Sequence, residues 1–466
     1  MADKHTALGY WWEEAGGLPA ARPPLEGEHE ADVVVVGGGY TGMWAAWYAK
    51  ELEPQARVIL LEASVCGEGP SGRNGGFVNT LWFSLPNMRR RFGDEGALAV
   101  ARAAQAAVDE VGRFCREQNV DAWFTPGGYL QVSTAPGWDG SWSDSLAALR
   151  ELGEPDAARD LSAEEVAERC AAPSFRGGVF YPGAATVQPA RLARGLRERL
   201  LAAGVEIHEG TEVTSVKPAA GGARVVAAGG GVRAKAAVVA AGGRSLEFAG
   251  MRRRLTLTSS HIALTEPVPD VLAELRWTGG ECITDSRAMV HYFRTTPDGR
   301  IAFGWGAGRV VYGTRTRGRA EVDPAVVAEV ERHLVRFFPA LEGRRIEHAW
   351  GGPIDVSPSH LPLVGTVGGA VHYGFGYTGN GVGPSNMVGR ALASLALGRR
   401  DDPATRALAG ARTPRVPPEP FRYIGGAIVR RALLRREGAT DAGKRPGRIT
   451  SFVAGIPERI GIHVGR

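Results

Sequence analysis

The sequence predicts an α/β fold (α+β overall) in which a parallel, dinucleotide-type unit is interrupted by an antiparallel sheet. Three observations carry this. Residues 32–36 (DVVVV) form a β-branched run, the mark of a buried parallel strand, and enter a glycine turn followed by an Ala- and Trp-rich helix. Residues 57–61 form a second apolar strand. From 255 to 311 the runs LTLTSSHIALTE, ECITDS, AMVHYFRT and RIAFGWG read as short antiparallel strands.

In chain order, residues 1–30 are an aromatic and Pro-rich arm. A Gly/Ser loop spans 64–85, and a helix spans about 98–119 with apolar residues at helical spacing. A strand at 128–133 and two helices within 141–170 come next, then a helix at 191–203. Residues 204–216 read as a strand pair and 225–239 as strand. A helix is expected at 326–338, another Gly-rich strand–loop–helix at 348–400, and one helical piece near 425–436 in a Pro- and Arg-containing tail. This order assigns 31–105, 177–250 and 345–400 to a discontinuous nucleotide domain. It assigns 106–176 and 251–344 to a second domain, and 401–466 to the tail.

The 466 residues suffice for two domains, and the apolar share of 44% is that of an ordinary globular chain. The 65 glycines are about twice the usual ~7%, which directs attention to loops that a ligand approaches closely. Net charge is +5, almost all of its basic side arginine, without the basic–aromatic interleaving of a nucleic-acid binder. Cys66, Cys115, Cys170 and Cys282 make no CxxC pair, so neither a zinc site nor a disulfide framework is expected, and no metal is assigned. The N-terminus lacks a secretory pattern and no apolar run nears the ~18 residues of a span, so a cytoplasmic location without an integral membrane span is expected.

Gly37-Gly38-Gly39-Tyr40-Thr41-Gly42 is a GxGxxG between strand and helix, and Glu62 lies 20 residues beyond Gly42 at the end of the next strand. Gly37 makes the tight turn, Gly39 lets a diphosphate touch the backbone, and Gly42 lets helix and strand pack closely. The helix N-terminus offers N–H groups and partial positive charge, with Tyr40 and Thr41 at its start. Glu62, followed by Ala63, would accept hydrogen bonds from a ribose hydroxyl.

This fingerprint does not separate NAD from FAD; three further segments point to a flavin. Ser71-Gly72-Arg73-Asn74-Gly75-Gly76 is a second small-residue loop suited to an isoalloxazine. Residues 236–240 run as a strand into Ala241-Gly242-Gly243. Gly374-Phe375-Gly376-Tyr377-Thr378-Gly379-Asn380-Gly381-Val382-Gly383 meets another helix, whose N-terminus would favour the negative charge of reduced flavin.

On ADVVVVGGGYTG, SGRNGG, VVAAGGRS, WGGPIDVSPSHLPLVG and GFGYTGNGVGPS, the chain resembles the glycine/D-amino-acid oxidase (DAO) family of FAD-dependent oxidoreductases over about residues 10–400. Its γ-glutamylputrescine-oxidase-like branch is the most similar. The resemblance implies a two-dinucleotide-type FAD-binding domain with a discontinuous antiparallel-sheet substrate domain. It places Gly37, Gly39, Gly42 and Glu62 at the ADP half, 71–76 along the flavin and the Val213 backbone beside adenine. It places Gly379, Asn380, Gly381 and Val382 at the pyrimidine edge. Thr378 and Asn380 stand where many relatives have the serine and histidine of GxSGHG. Arg73 occupies the first-loop position of a flavin-linking histidine and no cysteine follows Cys282, so non-covalent FAD is expected. No lysine lies between 236 and 443 to match the oxygen-activating lysine of sarcosine-oxidase-like members, so O2 or another acceptor remains open.

The resemblance further implies that a small-molecule amine or amino acid gives hydride from its α-carbon to flavin N5, and that the imine then hydrolyses. No obligatory acid–base residue follows. Tyr292 and Arg294 alternate on one strand and share a face; Arg294 suits a substrate carboxylate or a structural ion pair. Tyr292 and Trp305 suit a pocket wall or core packing. His261, His291 and His360 are candidates for tuning the amine proton. Cys66 lies near the flavin loop and suits packing. The basic stretch FRYIGGAIVRRALLRR suits docking on the protein itself or on a membrane surface. Competing readings are a flavin enzyme of hydroxy acids, a monooxygenase, and a non-enzymatic flavin-binding protein.

Overall fold

The computed structural model describes residues 5–464 except Ala249, Arg412 and Thr413. Two eight-stranded sheets organise the described residues. The first runs Leu363–Val367, Val371–Phe375, Gly230–Val239, Gly27–Val36, Val58–Leu61, Glu206–His208, and is parallel from Val371–Phe375 onward. Its central stretches, 33–36, 58–61 and 236–239, are buried on both faces, which is why they read as unbroken apolar runs. Val33, Val35, Val58 and Leu60 pack in one core with Met43, Trp44, Val100 and Val388 of the helices Tyr40–Leu52, Leu85–Glu117 and Val382–Ala396. Val34, Val36, Ile59 and Leu61 face another core, closed by the hairpin Val213–Ala219 and Gly222–Ala227.

The second sheet runs Ile346–Val356, Thr256–Thr265, Ile301–Trp305, His291–Thr295, Cys282–Asp285, Tyr129–Ser133, Gly177–Tyr181, Arg159–Leu161. It is antiparallel except where Cys282–Asp285 meets Tyr129–Ser133. The expected domain limits therefore shift at two places. Gly177–Tyr181 pairs with Tyr129–Ser133, and Ile346–Val356 pairs along nearly all of Thr256–Thr265, so both belong to this sheet and not to the nucleotide domain. Ile283, Phe293, Phe303 and Trp305 point to one side and pack on the helix Pro324–Phe337 through Val330, Leu334 and Phe337. The long helix begins earlier than expected, at Leu85, with a break at Gly93 (φ 70).

The aromatic part of the arm, residues 10–12, is interior. Its helix Tyr10–Glu14 buries Trp11 and Trp12 completely. Trp11 Nε1 donates to the Asn74 carbonyl (2.8 Å), and its ring lies edge-on to Trp350, whose Nε1 donates to the Arg73 carbonyl (2.8 Å). Gln188 Nε2 donates to the Trp11 carbonyl (2.6 Å), and Arg191 pairs with Glu14 (2.6 Å). The arm thus clamps the loop at 71–76 from behind. Trp11→Ala is expected to cost about 3–5 kcal/mol in denaturant unfolding, the usual range for emptying a buried aromatic site, and to lower the flavin content of the purified protein.

Candidate functional site

A cavity of about 1340 Å³ runs from the carboxyl ends of the parallel strands to the open face of the second sheet. It exceeds the ~300–1,000 Å³ of an ordinary small-ligand pocket, as a dinucleotide plus a substrate requires.

Its first end is built by the glycine turn. Gly37 has φ +108, and a Cβ there would stand 2.5 Å from the Ala240 carbonyl oxygen. At Gly42 a Cβ would stand 1.8 Å from the Gly37 oxygen, so only glycine lets the helix sit this close to the strand. Gly42 accordingly packs rather than lining the cavity, whereas Gly37, Gly39, Tyr40 and Thr41 line it. Gly39 is the N-cap of Tyr40–Leu52, and the Tyr40 N–H donates to Ser71 Oγ (2.9 Å), tying the two loops together. Glu62 accepts from the N–H groups of Gly38 (2.6 Å) and Ser64 (2.9 Å). Burial raises its pKa against those two bonds. Both carboxyl oxygens keep lone pairs for hydroxyl donors. Ala63, Val213, Ala241 and Gly242 line the same end. Cys66 sits beneath Gly38, where a Cβ would meet its sulfur at 2.5 Å; burial pushes its thiol pKa well up, consistent with packing.

The other end lies between two loops and the second sheet. Ser71, Arg73, Asn74 and Gly75 line it, but Gly72 and Gly76 do not. Those two glycines are required by packing: added Cβ atoms would stand 2.4 Å from Trp12 Nε1 and 2.2 Å from the Val187 oxygen. Asn74 closes its own loop, donating to the Ser71 carbonyl (2.8 Å) and accepting from the Gly76 N–H (2.7 Å). Arg73 is buried, donating to the Ala7 carbonyl (2.9 Å) and pairing with Glu321 (3.1 Å). Opposite, Gly379, Asn380, Gly381 and Val382 line the cavity at the start of Val382–Ala396. Tyr377 OH bonds Thr41 Oγ1 (2.6 Å), joining the two helix N-termini. Asp355, on the second sheet, lines the cavity and accepts from the Gly376 N–H (2.6 Å); burial lifts its pKa to about 6.

The floor is the face of the second sheet opposite Pro324–Phe337. Ser260, Ile262, Thr284 and Tyr292 line it, and Tyr292 OH bonds Ser260 Oγ (2.7 Å). Two expected substrate contacts are not there. Arg294 shares the face of Tyr292 but is buried against the domain junction, donating to the carbonyls of Val187 (2.5 Å) and Thr295 (3.0 Å) and stacking over Trp11. Its guanidinium is taken up by backbone. Trp305 pairs across the strands with His291, so it points to the other face and stacks on that imidazole. His291 lies with Asp285 and His333 behind the sheet, and burial pushes its pKa down. His261 Nε2 accepts from the Asp323 N–H (3.1 Å), away from the cavity. His360 alone of the three histidines lines it, edge-on to His463. Sequence reasoning passed over Asp355, Tyr377 and Ser260, although the first two stand inside quoted motifs. It also missed the tail residues Phe421, Ile428 and Ile460 on the cavity wall, whose signal was the apolar–basic pattern.

Comparison with known proteins decides the family: the family model for FAD dependent oxidoreductase, DAO, matches residues 32–395. The chain belongs to the DAO family. This DAO-family chain is 30% identical over 405 residues to the probable oxidoreductase OrdL of Rhizobium meliloti strain 1021, covering 84% of this chain and 89% of that protein. It is 29% identical over 381 residues to gamma-glutamylputrescine oxidoreductase of Escherichia coli K12, covering 79% and 84%. Glycine oxidase from Geobacillus kaustophilus shares the fold, with a TM-score of 0.64 at 20% identity over 80% of this chain and 96% of that one. The chain is therefore an FAD-dependent oxidoreductase. The cradle at Gly37–Thr41, the carboxyl of Glu62 and the cavity's volume fit FAD.

Gly39→Val is expected to raise the FAD dissociation constant at least ~100-fold, or about 2.7 kcal/mol, because its side chain would fill the approach to the helix N-terminus. Visible flavin absorbance per polypeptide, alongside an unchanged far-ultraviolet dichroism spectrum, checks this.

Proposed function

We propose that the enzyme oxidises a C–N bond of a small amine or amino acid, with FAD held non-covalently, giving an imine that hydrolyses to a carbonyl compound and an amine or ammonia. The carrying observation is the charge of the substrate end. A carboxyl, Asp355, faces the cavity there, while Arg294 does not line it and the Arg73 that lines the same end is paired with Glu321. A carboxylate lined up with hydroxyl and apolar groups suits the N–H of an amine or amino acid, and a hydroxy acid has no nitrogen to meet it. The relatives named for gamma-glutamylputrescine and glycine support the same class.

Bound FAD supplies the hydride acceptor. Tyr292 and Ile262 form a wall against which the substrate carbon is held, and Ser260 orients Tyr292. Asp355 accepts an N–H of the amine and is kept in place by the Gly376 N–H. Asn380 offers an amide at the opposite loop, and the N-terminus of Val382–Ala396 favours negative charge beside it. Either O2 or another acceptor takes the electrons.

Anaerobic addition of amines, amino acids and hydroxy acids, followed through flavin bleaching, tests the reading. Amines or amino acids should bleach the flavin. Bleaching by hydroxy acids alone, or by nothing, overturns it. Readmitting oxygen then distinguishes an oxidase from a dehydrogenase.

The pH dependence has a definite sign. Asp355 is neutral below its pKa of about 6 and ionised above it. Because this value is raised above that of an unfolded aspartate, ionisation weakens the ligand-free fold as pH rises from about 4 to 6. It also creates the acceptor for the amine. The rate of flavin reduction at low amine concentration should therefore carry a limb that rises about tenfold per unit toward pH 6, in addition to the rise from the amine's own deprotonation, which continues above it. In Asp355→Asn that limb should vanish and the rate fall at least ~10-fold; stopped-flow reduction across pH checks both.

A further inference from the structure

The C-terminal segment carries an unusual surface. Residues 421–466 hold ten Lys and Arg against three Asp and Glu, a net +7 in a chain whose net charge is +5. Among the described residues, seven of the nine exposed large hydrophobics belong to the same segment: Phe421, Tyr423, Ile424, Ile428, Ile449, Phe452 and Ile460. An eighth, Tyr312, stacks edge-on against Tyr423.

The helix Phe421–Asp441 is two-faced. One stripe docks on the protein: Arg422 donates to the Leu255 carbonyl (3.0 Å), the Met289 N–H donates to Glu437 (2.9 Å), and Leu433 packs on Ala454 of the next helix, Arg448–Ala454. The opposite stripe, Phe421, Ile424, Ile428, Arg431 and Arg435, recurs every three or four residues and faces outward. Ile449, Phe452, Lys444, Arg445 and Arg448 are exposed on the neighbouring turn and helix. Docking on the protein thus explains one face of the helix and leaves the other unexplained. Phe421, Ile428 and Ile460 are both exposed and on the cavity wall, so this surface borders the cavity opening.

We propose that this surface docks the enzyme on an anionic phospholipid membrane, with the apolar side chains entering the interface and the cations meeting the headgroups. The charge chooses the occupant. A second copy would set like-charged patches against each other, whereas anionic headgroups complement them. Docked in this way, the enzyme presents its cavity mouth to the lipid surface.

The test is co-sedimentation of the purified holoenzyme with phosphatidylcholine vesicles, with and without about 30% phosphatidylglycerol. Binding should require phosphatidylglycerol and weaken as salt shortens the Debye length from about 10 Å at ~0.1 M to about 3 Å at ~1 M. Two double variants, Arg431→Glu with Arg435→Glu and Ile449→Asp with Phe452→Asp, should each lose at least ~10-fold in vesicle affinity. Both should keep wild-type flavin content and flavin-reduction rate, because none of the four residues lines the cavity. Absence of sedimentation with anionic vesicles, equal sedimentation with neutral ones, or variants that bind like wild type would overturn the proposal. So would analytical ultracentrifugation showing a dimer that Ile449→Asp with Phe452→Asp dissociates, since a second copy would then cover the patch.

Discussion

The close approach of one strand and one helix governs the rest of the structure. Gly37 and Gly42 bring the end of Gly27–Val36 and the start of Tyr40–Leu52 so near that a single methyl group at Gly42 would collide with the Gly37 carbonyl. That contact aims the helix N-terminus at one end of the cavity and fixes where a diphosphate can be met by backbone N–H groups. Glu62 is anchored to the same turn through Gly38, so its carboxyl and the glycine turn are tied together at one end of the cavity.

The second sheet has to be held against this unit without closing the space between them. The clamp is largely polar and aromatic. Trp11 and Trp350 hold the carbonyls of Asn74 and Arg73, and Arg294 holds that of Val187 while its guanidinium lies over Trp11. These buried donors satisfy loop carbonyls that would otherwise be stranded away from water. Arg294 bears a desolvated charge at the junction, and burial lowers its pKa to about 10. The floor left uncovered by Pro324–Phe337 then lines the cavity, with hydroxyls of Ser260, Thr284 and Tyr292 among apolar groups.

Much of the nucleotide end was legible in the sequence. The GxGxxG, Glu62, the loop beginning at Ser71 and the segment at Gly379–Val382 all converge on the one cavity. Gly42, Gly72 and Gly76 do not line it; they are glycines for contact with other backbone and with Trp12. The substrate end was less legible. Strand alternation put Tyr292 and Arg294 on one face, and it did so correctly, but only Tyr292 reaches the cavity. Trp305 fell on the other face because cross-strand pairing sets it opposite His291.

What the sequence determined by itself was local: a tight turn, a helix start and an acidic strand end, each specified by residues within a few positions of one another. The tertiary structure decided which sheet face is covered by a helix and which is left for a ligand, and it moved Gly177–Tyr181 and Ile346–Val356 into the second sheet. It also set Asp355 beside Gly376 and placed the tail at the cavity's edge. A period of two residues says which side chains point the same way, but only packing between segments far apart in the chain says what they point at.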